Sequence, residues 1–74
     1  MEIKWIDGFT IKTAATSNEI LICANKEGLL SLAEICKSLA MCEDCTHIHL
    51  DEYNSLEGGS LELIISKEKH YEFR

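Results

Sequence analysis

Residues 43–66 read EDCTHIHLDEYNSLEGGSLELIIS. Two strand-like runs, Thr46–Asp51 and Leu61–Ser66, flank an acidic loop that carries Gly58-Gly59. Side chains alternate along a strand, so Thr46, Ile48 and Leu50 share one face and His47, His49 and Asp51 the other. In the second run Leu61, Leu63 and Ile65 point inward, with Glu62 and Ile64 outward. The stretch holds six acids (Glu43, Asp44, Asp51, Glu52, Glu57, Glu62) and no Lys or Arg, so the formal net charge of −6 lies within it. Such a field suits a cationic partner.

Working outward, the segment before this hairpin reads as a helix. Asn25 is a good N-cap, with Lys26 and Glu27 in the first turn. Gly28 costs about 1 kcal/mol of helix propensity relative to Ala. The pattern predicts a helix to about Cys42. Leu29, Leu32, Ala33, Cys36, Leu39 and Ala40 form its apolar face, and Glu27, Ser31, Glu34 and Ser38 its wet face. Ser31-x-x-Glu34 also reads as a capping box, which offers a second possible start at Ser31.

Glu19–Ala24 is a compact apolar strand after the turn-like residues 15–18. Residues 2–14 alternate loosely around Asp7-Gly8, so they form either a hairpin, the favoured reading, or one strand bulged at Gly8. In the charged tail Tyr71 and Phe73 alternate and could prolong the last strand. The expected architecture is one α+β domain over residues 1–74. A mostly antiparallel sheet of four or five strands carries one helix packed on one face, in the order β-β-β-α-β-β.

Composition narrows the function. A chain of 74 residues buries only about 60% of its unfolded surface, and dimerisation would add to its stability. No run of roughly 18 apolar residues is present to span a membrane. The N-terminus has an acid at position 2 and no apolar h-region, so no signal peptide is expected. A cytoplasmic setting and free thiols at Cys23, Cys36, Cys42 and Cys45 are the consequence. Cys23 and Cys36 fall at apolar positions and are expected to be buried. Phosphate contacts need a basic patch, which is missing, so nucleic acid is not an expected partner.

Three constellations could carry chemistry. Cys42, Cys45, His47 and His49 offer four zinc-type ligands within eight residues. Structural zinc sites draw their ligand pairs from separate segments, so this is the lesser alternative and no cofactor is expected. A redox Cys-x-x-Cys sits at a helix N-terminus, whereas this pair follows a helix C-terminus. His47, His49 and Asp51 could move protons, but side chains on one strand face run parallel and do not converge on a reacting atom. An enzyme is therefore not expected. The loop Asp51–Gly59 sets Tyr53 and Leu56 among acids, an anchor set with a charged rim. The partner-binding residues expected on this basis are Asp51, Glu52, Tyr53, Leu56, Glu57 and Glu62. The sheet face left uncovered by a single helix would present His47, His49, Glu62 and Ile64, with Leu21 and Cys23, and could hold a homodimer contact.

Three segments also carry a resemblance. NKEGLLSLA (25–33), HIHLDEY (47–53) and LEGGSLELII (56–65) resemble the immunity protein 32 family of bacterial polymorphic toxin systems. The similarity spans about residues 19–67 and leaves the first 18 uncovered. It implies a small cytosolic protein that binds and neutralises a cognate toxin domain, with a basic nuclease as one candidate. It transfers no proven contact residues.

Overall fold

The computed structural model describes residues 2–69 of the chain. Its elements run β1 (Ile11–Ala15), β2 (Ile20–Ala24), α1 (Lys26–Ala40), β3 (His47–Leu50) and β4 (Leu63–Ser66). The α+β class with one helix stands. The single sheet of four or five strands does not: β1 pairs with β2 and β3 with β4, as two separate antiparallel pairs. The proposed extension of β4 by Tyr71 and Phe73 lies outside the described residues.

The expected N-terminal hairpin is replaced by a turn and a coil. Phe9 N–H donates to the Ile6 carbonyl at 3.1 Å, and Gly8 has φ +84, a backbone that type II turns take with Gly at that position. The turn stacks Trp5 on Phe9, with ring centroids 4.5 Å apart. The groups a second strand would need are already engaged. Asn25 Nδ2 donates to the Gly8 carbonyl, and Asn25 Oδ1 accepts from Thr10 N–H as well as Gly28 N–H. Asn25 thus caps α1 and binds the turn with one side chain.

The start of α1 at Lys26 excludes a helix capped at Ser31. The buried stripe of α1 is Gly28, Ser31, Ile35 and Leu39, rotated from the expected apolar face. Of that face Leu39 is buried and Leu32 packs against the core as expected, whereas Leu29, Ala33, Cys36 and Ala40 are exposed, and Ser31, expected to be wet, is fully buried. Two observations explain the rotation. A Cβ at Gly28 would overlap the Thr10 carbonyl oxygen and stand 3.0 Å from Ala24 Cβ and Ile11 Cγ1. Only glycine lets the helix approach β1 this closely. One turn on, Ser31 Oγ accepts the Ile6 N–H at 2.9 Å, so the hydroxyl satisfies a coil amide that no strand pairs.

Ile11, Leu50 and Leu56 form the buried cluster, with Trp5, Phe9, Ala24, Leu32, Ile48, Leu63 and Ile65 packed around it. The two hairpins are joined through the segment before β4. Glu57 N–H donates to the Ile11 carbonyl at 2.8 Å and Leu61 N–H to the Thr13 carbonyl at 3.4 Å. Thr13 N–H bonds Ser60 Oγ, and Thr13 Oγ1 donates to the Leu61 carbonyl. Residues 57–61 therefore line the edge of β1 without forming a ladder. Gly59, at φ +84, takes a conformation that interrupts a regular strand there.

Candidate partner-binding surface

The β3–β4 hairpin places the candidate residues. Register pairs His47 with Ser66, Ile48 with Ile65, His49 with Ile64 and Leu50 with Leu63. The expected alternation holds within the strands: Ile48, Leu50, Leu63 and Ile65 turn toward the core, while His47, His49 and Ile64 are exposed. Leu61, expected inward, is 53% exposed, because it precedes the ladder. On the outer face the His47 and His49 rings meet edge to face at 5.1 Å, and His49 Nδ1 lies 3.0 Å from Glu62 Oε2. Leu21 and Cys23 are exposed too, but on the other hairpin.

The loop after β3 is held by its own polar side chains. Asp51 Oδ1 accepts from Tyr53 N–H at 2.9 Å and Asn54 N–H at 3.1 Å, an Asx turn. Asn54 returns the bond: its Oδ1 accepts from Asp51 N–H and its Nδ2 donates to the His49 carbonyl. Glu52 Oε2 reaches across to Gly59 N–H at 3.0 Å. Leu56 is 4% exposed and belongs to the core, so it anchors the loop to the body from inside. Tyr53 is 90% exposed. Of the six residues expected to meet a partner, Tyr53 and Glu57 are freely presented. Asp51 and Glu52 also hold the loop, Glu62 sits beside His49, and Leu56 faces inward.

The acids do not form one patch. Glu43 and Asp44 lie at the helix-proximal end of the hairpin, whereas Asp51, Glu52 and Glu57 occupy the loop at the other end. At the helix end, Lys67 Nζ donates to the Ala40 carbonyl at 3.0 Å and the Cys42 carbonyl at 2.7 Å, and stands 3.8 Å from Asp44. It satisfies helix-end carbonyls and balances an acid there. Lys12 Nζ reaches the Gly58 carbonyl at 3.3 Å, which sets one cation against the loop. The negative field available to a partner is thus smaller than the sequence implies and centred on Asp51, Glu52, Glu57 and Glu62.

Cysteine chemistry finds no convergent geometry. Cys42 Sγ donates to the Ser38 carbonyl within the last helical turn. Cys45 has φ +71, and its N–H bonds the Lys67 carbonyl at 3.0 Å. Among the described residues no three His, Cys, Asp or Glu side chains group so as to hold a metal. Cys23 and Cys36, expected to be buried, are exposed free thiols.

Sequence reasoning missed Ser31, Lys67 and Gly28 as positioning residues. Gly28 alone had a visible signal, a glycine in the first turn of an otherwise favourable helix. No helix among the described residues is long and apolar enough to cross a membrane. No curated protein and no solved structure matches the chain. A family model does: residues 19–68 match Immunity protein 32, which takes in β2, α1, the whole β3–β4 hairpin and its loop, and the chain therefore belongs to the Immunity protein 32 family.

Proposed function

We propose that this chain is a cytoplasmic immunity protein that neutralises a cognate toxin domain by binding it, and that the 51–62 loop with the adjoining β3–β4 face is the binding surface. The observation that carries this reading is Tyr53. A large aromatic stands 90% exposed on a loop whose backbone is fixed by Asp51, Asn54 and Glu52. Exposed aromatics on rigid supports are the usual anchors of tight interfaces, since little conformational freedom is left to lose on binding.

The acids around Tyr53 give the surface its sign. Carboxylates on this loop and on the adjoining strand attract a basic patch and accelerate encounter. A basic nuclease is a toxin whose substrate site has that character. The work asked of the chain is occupation of a surface, which needs no reacting group and agrees with the non-enzymatic role the family implies.

Growth protection tests the reading. A candidate toxin domain, sought among the genes that neighbour this one, is expressed with the wild-type chain or with a Tyr53→Ala, Glu57→Lys variant. Protection by the wild type and its loss in the variant are expected. Equal protection by both folded proteins overturns the loop assignment, and no protection by either overturns the immunity reading.

A further inference from the structure

The β1–β2 hairpin is not used by the surface proposed above, and its outer strand has an unusual edge. Among the described residues β2 pairs only with β1. Thr16 N–H bonds the Glu19 carbonyl and Asn25 N–H the Thr10 carbonyl. With the register Lys12–Cys23 and Ala14–Leu21, these bonds turn the backbone of Leu21 and Cys23 toward β1, because hydrogen-bonded pairs alternate in an antiparallel ladder. The backbone of Ile20, Ile22 and Ala24 therefore faces outward. The side chains are equally open: Ile20 is 82%, Leu21 56% and Ile22 43% exposed. A groove of about 400 Å³ under the hairpin tip is lined by Ala14, Ala15, Glu19, Ile20 and Leu21. Soluble proteins blunt such edges with lysine, proline, a bulge or a covering segment. From Ile20 to Ala24 this strand has no charged residue and no proline.

We infer that a second copy of this chain pairs with the β2 edge, antiparallel and two-fold, with Ile22 opposite Ile22. In this register Ile20 and Ala24 of opposite copies exchange backbone hydrogen bonds, and Leu21 lies across from Cys23. The strand ends select the occupant. Glu19 and Lys26 flank β2 at its two ends, so two-fold pairing sets Glu19 of each copy beside Asn25 and Lys26 of the other. The arrangement is isologous, as closed dimers require. It also joins two chains of net charge −6 along a strand without charged residues, with opposite charges at both ends. The paired strand supplies fewer than the roughly 20–30 residues a side of a standard interface, so the dimer is concentration-dependent.

Sedimentation velocity over a concentration series, on the full chain without toxin, tests the inference. The wild type is expected to move from one copy of 8.4 kDa to two. Ile20→Lys sets a cation near Lys26 of the other copy and is expected to abolish the dimer, whereas Ile20→Val keeps it. Circular dichroism checks that each variant is folded. Glu19→Lys is expected to weaken the dimer, and adding Lys26→Glu to restore it. A wild type that stays single at every concentration overturns the inference, as does a dimer indifferent to Ile20→Lys. A charge swap that fails to restore pairing overturns the register. Toxin binding lost in Ile20→Lys, with no dimer in its absence, assigns the edge to the toxin and overturns the second copy as occupant.

Discussion

Gly28→Ala sets helix propensity against the contact between α1 and β1. Propensity alone favours the variant by about 1 kcal/mol. The structure predicts the opposite, because the new methyl would overlap the Thr10 carbonyl oxygen. A backbone atom cannot rotate aside, and Ala24 and Ile11 close the other directions at 3.0 Å. Overpacking of this kind costs about 1–3 kcal/mol, and a rigid obstacle puts it near the upper end. Subtracting the propensity gain leaves a net loss of about 2 kcal/mol. A domain of this length holds roughly 4–11 kcal/mol in all. The loss should lower Tm by roughly 8–16 °C, read by circular dichroism. Gly58→Ala is the control, since nothing lies within 4 Å of that site; its Tm should hold or rise slightly. A Gly28→Ala protein more stable than wild type would refute the close approach of α1 to β1.

Further substitutions probe the remaining supports. Ser31→Ala leaves the Ile6 amide without its acceptor and should cost about 1–3 kcal/mol in urea unfolding, with faster hydrogen exchange at Ile6. Leu56→Ala empties a position only 4% exposed; a loss of about 2–5 kcal/mol is expected, and a loss no larger than that of Leu61→Ala would contradict its place in the core. Asp51→Asn keeps an acceptor for Tyr53 and Asn54 N–H and should preserve stability while slowing toxin association. Asp51→Ala should in addition cost about 1 kcal/mol of stability.

The readable features were those fixed by short-range rules. The N-cap at Asn25 follows from side-chain chemistry, and the two faces of β3 and β4 from strict alternation along four residues. Half of the helix face was legible, Leu32 and Leu39 packing inward as expected, and the rest was not, because two stripes compete. Leu29, Ala33, Cys36 and Ala40 make one; Leu32, Ile35 and Leu39 make another, about one residue around the helix. Gly28 and Ser31 decide between them through contacts with Thr10 and Ile6, residues distant in sequence. Asp7-Gly8 does make a turn, but Asn25 takes the polar groups that a hairpin would have paired. The sheet divides because residues 57–61 contact β1 through side chains and scattered amides. The exposure of Tyr53 and Glu57 was legible from their place in a polar loop. The inward turn of Leu56 and the loop-clamping roles of Asp51 and Glu52 were not, since both depend on how the loop closes on the body.

In the proposed function a rigid acidic loop bearing Tyr53 captures a basic toxin. Stopped-flow association of the toxin domain with wild type, Tyr53→Ala and Glu57→Gln chains, at several salt concentrations, tests it most directly. The wild-type on-rate is expected to fall as salt rises, with a weaker salt dependence for Glu57→Gln and a faster off-rate for Tyr53→Ala. An on-rate indifferent to salt, with both variants binding like the wild type, would contradict it.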